Sequence, residues 1–183
     1  MIAVRPSAVE DIPELQDVEA DAGEMFRQVG LDVIANDDPP SASTLSEHIL
    51  GETAWTAELD SVVAGYSLAS VVDDEAHLDQ VSVRRVAAGR GIGRLLIDEV
   101  CQWAVRQDYE TLSLTTFADV PWNGPYYERL GFELLPADRC GPQLEAIRHR
   151  ERLSGIEVAP RIAMRLPLDR WVRSRPSNPT TDR

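Results

Sequence analysis

The amino-acid sequence predicts a single α/β domain of the α+β kind, and three observations carry that expectation. Segments with strand alternation and segments with helical spacing are interleaved along the chain. Trp55 to Leu59 and Val62 to Val72 read as two strands of a hairpin turning at Asp60-Ser61. Further on, Val81-Ser82-Val83 leads through a glycine-rich turn into an amphipathic helix with apolar residues at Ile92, Leu96, Val100 and Trp103. At 183 residues the chain is long enough for one full core and short for two. The domain is expected over residues 1–172. Residues 173–183, with Pro176, Pro179 and no apolar anchor, read as a disordered tail.

In chain order, Ile2 to Arg5 reads as a first strand ended by Pro6. Asp11 is placed to cap a helix, with Pro13 in its first turn and Glu14 at the capping-box position. Ile12, Leu15, Val18, Ala22 and Met25 follow at helical spacing, and Met25 and Phe26 read as core residues, with a lining for an acceptor pocket as the alternative. Asn36 to Ser41 is a loop by composition, and a second helix is expected over 43–50, stopped by Gly51. Gly65 inside the hairpin's second strand marks a bulge or close packing. Asp73-Asp74 makes the next turn, and His77 to Val83 is the strand that enters the glycine turn. After the helix from Gly91 to about Gln107, Thr111 to Thr115 is another strand. Pro121 to Pro125 turns into a short helix stopped by Gly131, and Phe132 to Leu134 begins a strand. Gly141 to Leu153 reads as a helix with a solvated arginine-rich face, and Arg161 to Leu166 as the last strand.

Charge and composition exclude several roles. A net charge of −13 argues against nucleic acid, which needs clustered basic residues. Residues 1–60 hold 14 acidic side chains against Arg5 and Arg27 alone, a field that attracts a cation. No apolar run is long enough for a membrane span, and the N-terminus lacks a signal-peptide pattern, so a cytoplasmic location is expected with no membrane partner. Cys101 and Cys140 belong to no metal or disulfide pattern, so no metal is expected.

The glycine turn carries the chemistry. Gly89, Gly91 and Gly93 remove side chains that would hold a ligand off the backbone. The helix that follows presents unpaired N–H groups and a partial positive charge, which suit a pyrophosphate, and Arg90 and Arg94 add formal charge. The spacing is not Gly-x-x-x-x-Gly-Lys-Ser/Thr and the chain has no lysine, which excludes a nucleoside-triphosphate loop. Nor is it Gly-x-Gly-x-x-Gly near the start of a βαβ unit, which disfavours a dinucleotide site.

The run Ala88-Gly89-Arg90-Gly91-Ile92-Gly93 after Val81-Ser82-Val83 resembles the acyl-CoA-binding motif of the GNAT N-acetyltransferase superfamily. Downstream, Tyr126-Tyr127-Glu128-Arg129-Leu130-Gly131-Phe132 is similar to that family's Tyr-x-x-x-Gly-Phe signature. Ala88 stands where the family usually carries Arg or Gln, which removes one side-chain phosphate contact and leaves the backbone amides from Gly89 to Arg94. The resemblance implies a mixed, mostly antiparallel central sheet with helices on both faces. It also implies acetyl-CoA as co-substrate. Val81, Ser82 and Val83 would hold the thioester arm, with a backbone N–H near Val83 as oxyanion donor. Residues 89–94 (Gly89, Arg90, Gly91, Ile92, Gly93, Arg94) would hold the pyrophosphate, and Asn123 would bond the pantetheine arm.

Acyl transfer to an amine also needs a base for the amine and a proton for the departing thiolate. Strand alternation places His77, Asp79 and Val81 on one face, and the resemblance puts the base at His77 or Asp79. His77 otherwise reads as an incidental polar residue, and Asp79 as a contact for a cationic acceptor or an arginine. Glu24 is a third candidate for acceptor contact, with plain surface charge as its alternative. Tyr127, four residues before Gly131, matches the family's acid, while Tyr126 reads as packing. The expected function is therefore an N-acetyltransferase acting on a small-molecule primary amine of cationic character. A non-catalytic acyl-CoA-binding or sensing module is the alternative. A homodimer is among the assemblies expected.

Overall fold

The strands are β1 (Ile2–Pro6), β2 (Ala54–Leu59), β3 (Val62–Val72), β4 (Glu75–Val83), β5 (Thr111–Phe117), β6 (Glu133–Leu135) and β7 (Arg161–Pro167). In the computed structural model, which describes residues 1–156 and 158–175, they form one sheet in the order β1-β2-β3-β4-β5-β7-β6. Every pairing is antiparallel except β4 with β5. The helices are α1 (Ile12–Gly23), α2 (Asp32–Ala35), α3 (Ala42–Leu50), α4 (Ile92–Arg106), α5 (Gly124–Arg129), α6 (Pro142–Leu153) and α7 (Leu168–Arg173). The mixed, mostly antiparallel α/β domain is therefore as the sequence reading has it.

Local chemistry explains the left half of the sheet. Both hairpins, β2–β3 and β3–β4, turn on two residues in the left-handed region, Asp60 and Ser61, then Asp73 and Asp74. Such turns match the right-handed twist of the strands they join. One sheet face is covered by α1 and α3, where Leu15, Val18 and Leu45 meet Tyr66 and Leu68. The other is covered by α4, whose Ile92, Leu96, Val100 and Trp103 join Leu78, Leu112, Leu114 and Met164. Each fully buried aliphatic side chain of this kind contributes ~1.5–3 kcal/mol.

Two irregularities shape the site. Gln80 pairs with Leu68 and Leu78 with Ala69, so Asp79 is an extra residue, a bulge in β4. At Gly65 both expectations hold together. The neighbouring Ala64 is an extra residue of β3, and a Cβ at Gly65 would lie 2.8 Å from the Ser82 carbonyl oxygen. On the parallel side, β4 and β5 are in register only at Ala76 with Leu112 and at His77 with Ser113. Beyond that rung the strands separate, while β5 stays paired to β7 along its whole length.

Several expectations change. The Asp11 side chain does not cap α1; it bonds the Ala8 N–H and takes a fork of bonds from Arg5 at 2.7 and 2.9 Å. The arginine outcompetes the helix because two bonds between opposite charges are stronger than one from a neutral backbone N–H to the carboxylate. The first helix yields to a 3-10 stretch, Glu24–Val29, followed by the short α2, and the expected loop from Asn36 to Ser41 comes after them. The helical run ends in α7, which includes Arg173, and Arg175 lies 4.1 Å over the Trp171 ring. The expected tail therefore does not include 173–175, and its residues 176–183 lie outside the described residues.

Candidate active site

A cleft of about 1230 Å³ enters at the glycine turn, passes between the separating ends of β4 and β5, and opens between α1–α2 and α6. At its first end Gly89 and Gly91 have φ of +74° and +83°, a region that side chains rarely adopt. No atom would meet a Cβ at either position, so the requirement is conformational and not a matter of space. The result is a run of backbone N–H groups leading into the N-terminus of the 15-residue α4. Gly93 is tight instead: its Cβ would meet the Tyr126 hydroxyl at 3.2 Å. Tyr126 is therefore no mere packing residue, since its hydroxyl stands at the start of α4 and its ring lines the cleft. Ala88, Ile92 and Arg94 line this end, whereas Arg90 sits exposed at the tip of the turn and off the cleft wall. Arg84 and Arg85 are engaged elsewhere, on the Val63 carbonyl and on Asp21.

In the gap, successive amides of a strand point to opposite edges. The Arg84 N–H bonds the Ala64 carbonyl on β3, which leaves the Val83 N–H facing the open side. Val81 and Val83 send their side chains into the α4-side core. On the β5 side, Asn123 donates to Thr116 Oγ1 at 2.9 Å, and its buried Oδ1 has no partner among the described residues. Tyr127 lines the same space from the α4-side core, 7% exposed, and burial pushes its phenol above the ordinary range.

The other end of the cleft lies on the α1 face. His77, 3% exposed, pairs across the sheet with Ser70, and the Ser70 hydroxyl donates to Asp79 at 2.9 Å. The bulge places Asp79 and Gln80 on the same face, so alternation resumes out of step. The expectation that Val81 shares a face with His77 and Asp79 is thus corrected: Gln80 and Ser82 do, and Val81 faces the other way. Burial pushes the His77 imidazole down and the Asp79 carboxyl up. Asp79 is open to the cleft, yet protein encloses it on the other sides, which accounts for its shift.

Glu19 on α1 accepts from the Tyr66 hydroxyl at 2.7 Å, the Ser82 hydroxyl at 2.6 Å and the Gln80 amide at 2.9 Å. Glu24, read either as an acceptor contact or as surface charge, is surface charge: it pairs with Arg27. Phe26 lines the cleft with Phe117 and Trp122, ring centroids 5.6 and 5.8 Å away, instead of filling the core. Across from them, α6 is not just a solvated face. Its Glu151 is 9% exposed and holds Arg161 at 2.8 Å, while Arg148 bonds the Arg161 carbonyl. Asp73 in the β3–β4 turn fixes this helix by accepting the Gln143 and Leu144 N–H groups.

Glu19, Ser113, Tyr126 and the α6 wall are site elements that sequence reasoning missed. Only Glu19 left a signal: it sits four residues after Leu15, a charge on the flank of an apolar stripe. The other three depend on contacts between elements far apart along the chain.

The sequence matches the model of the Acetyltransferase (GNAT) family over residues 16–132, more than half of the chain. Among solved structures the fold resembles the ribosomal-protein-S18-alanine N-acetyltransferase from Escherichia coli, with TM-score 0.64 and 20% identity, covering 92% of this chain and 94% of that one. It also resembles the PaiA N-acetyltransferase from Thermoplasma acidophilum in complex with coenzyme A, with TM-score 0.65, 14% identity and coverage of 91% and 99%. A GNAT-family acetyltransferase from Staphylococcus aureus Mu50 gives TM-score 0.69 at 14% identity, over 92% and 99% of the two chains. With the family match over the strand, the glycine turn and the tyrosine helix, the chain belongs to the GNAT acetyltransferase family and is an acyltransferase.

Proposed function

We propose that the protein moves an acetyl group from acetyl-CoA to the primary amine of a small cationic acceptor. The observation that carries this reading is the single cleft joining three features: the run of amides at α4, the β4–β5 gap, and His77 with Asp79. The amides from Gly89 to Arg94 bind the pyrophosphate, and Val81 to Val83 with Asn123 hold the pantetheine arm. The Val83 N–H faces the gap and serves the oxygen on which charge develops. His77, kept neutral by burial, takes a proton from the amine as the new C–N bond forms. Asp79 holds the incoming ammonium, which sheds one proton to bulk water so that the free amine attacks. Tyr127 keeps its proton at neutral pH and donates it to sulfur as the C–S bond breaks. Bulk water then reprotonates Tyr127 and accepts the proton from His77, so the turnover balances.

A cationic acceptor is favoured by which carboxylates remain unpaired. Arg5 takes up Asp11 and Glu58, Arg85 takes up Asp21, and Arg27 takes up Glu24 and Asp32. Asp37 and Asp38 line the cleft mouth and pair with no arginine among the described residues. The aromatic wall of Phe26, Phe117 and Trp122 adds apolar contact for the acceptor's body.

Ala88 favours the second reading, an acyl-CoA-binding module without turnover, because it lacks the side-chain contact that the family's Arg or Gln supplies. Calorimetric titration with acetyl-CoA, with NAD and ATP as controls, tests the binding step, and a free-thiol release screen across cationic amines tests turnover. Selective binding with amine-dependent thiol release is expected. Binding without release would support the module, and no binding would remove both readings.

A further inference from the structure

His77 and Ser113 form the last registered rung before β4 and β5 separate. The Ser113 hydroxyl lies 2.8 Å from His77 Nδ1 and 3.2 Å from the carbonyl oxygen of Ala76. A hydroxyl has one proton, and a carbonyl oxygen can only accept. Both contacts are hydrogen bonds in one arrangement alone, with Ser113 donating to Ala76 and His77 donating from Nδ1. A neutral imidazole has one N–H, so the lone pair then sits on Nε2, which has no protein partner among the described residues. We infer that Ser113 is a positioning residue that holds His77 in its Nδ1–H form and presents the Nε2 lone pair to the cleft as the proton acceptor.

The surroundings agree with this assignment. Both residues are buried, at 3% and 6% exposure, and His77 is a lining residue of the cleft, so its remaining opening is toward the acceptor. Three carboxylates favour the doubly protonated ring: Asp79 on its own strand, Glu151 on α6 and Asp73 in the β3–β4 turn. On α3, His48 is engaged with Thr53 and the Ala69 carbonyl. Burial outweighs the three carboxylates, and the neutral ring is the form in which a tautomer matters. Without Ser113, Nδ1–H would have no acceptor in a buried site, and the lone pair could settle on Nδ1, facing away from the amine. The inference rests on the reading of His77 as the base.

The direct test is the ring-nitrogen NMR spectrum of the ¹⁵N-labelled full chain without ligand, with His77 assigned by its loss in His77→Gln. A protonated Nδ1 and a bare Nε2 are expected at neutral pH. In Ser113→Ala the spectrum should move toward Nε2–H. Its kcat, with the amine selected by the thiol-release screen, should fall about tenfold, a part of the usual general-base contribution. KM for acetyl-CoA should not change, and Ser113→Thr, which keeps the hydroxyl, should recover most of the loss. An Nε2–H signature in the wild type would overturn the assignment, and so would a Ser113→Ala protein with unchanged tautomer and kcat. Full kcat in His77→Gln would remove the base reading itself, a separate result from the spectrum.

Discussion

The Ser82 hydroxyl on β4 donates to Glu19 Oε2 on α1 across 2.6 Å, tying the helix that walls the cleft to the strand that floors it. The fully buried Tyr66 hydroxyl uses the same oxygen. Glu19→Ala leaves that phenol and the buried Ser82 hydroxyl without their acceptor, while the Gln80 amide keeps Ser82 Oγ, and an unmet buried polar group costs about 1–3 kcal/mol. A urea midpoint lowered to match is expected, with Glu19→Gln in between. An unchanged midpoint for the alanine variant would show that the cluster contributes nothing to stability.

Gly91 stands at φ +83° with open space where a side chain would go. Gly91→Ala therefore tests conformation alone, and the left-handed region costs an ordinary residue roughly 1–2 kcal/mol. Acetyl-CoA affinity by calorimetry should drop about tenfold, as that cost implies. Gly91→Asn, better tolerated in this region, should lose less.

Tyr127 is buried within an aromatic pair of rings, 5.5 Å from Phe132 and 5.6 Å from Tyr126. Tyr127→Phe keeps that packing and deletes only the proton donor. Turnover should fall by about tenfold or more, in line with general-acid effects, while acetyl-CoA binding stays the same. Equal turnover would assign the residue to packing.

The buried His77 imidazole has its pKa below the ordinary 6.5. Its contribution to stability is complete above pH 6.5. As pH falls below that value, the unfolded chain takes up a proton that the folded ring refuses. Stability then declines until the folded pKa is passed. Denaturation measured between pH 7 and 5 should show this slope, and His77→Gln should flatten it. The acid limb of the rate profile should likewise lie below pH 6.5.

Asp73 holds the first turn of α6 through two backbone N–H groups at 2.9 and 3.0 Å. Asp73→Ala should cost about 1 kcal/mol, the usual worth of a cap. Since α6 walls only the acceptor end, KM for the amine should rise and acetyl-CoA affinity should not. A change in both would mean that the helix supports the whole cleft.

The glycine-turn end of the cleft is local in sequence, and for that reason its elements were legible. The turn from Ala88 to Gly93, the helix from Ile92 and the tyrosines before Gly131 declare themselves by glycine placement and periodicity within short windows. The end on the α1 face was not. Alternation carried from His77 to Val81 went wrong because a bulge at Asp79 adds a residue whose presence depends on the register with β3. Glu24 looked suitable by position on its helix, but Arg27 three residues on captures it, and Glu19 takes the inward place.

The sequence by itself determined the elements, the order in which they occur, the phosphate-type turn and the family. Each is written in backbone preferences and spacing that act over a few residues. Only the tertiary structure decided which side chains share the cleft: Ser113 under His77, Tyr126 against Gly93, and Glu151 with Arg161 across from α1. Those neighbours lie tens of residues apart along the chain or, like Glu151 and Arg161, on separate elements. They meet through packing between elements, and β4 and β5, which put Ser113 under His77, pair for one short stretch and then diverge. The geometry of that divergence comes from packing on both sheet faces at once, a cooperative outcome that no single stretch of sequence encodes.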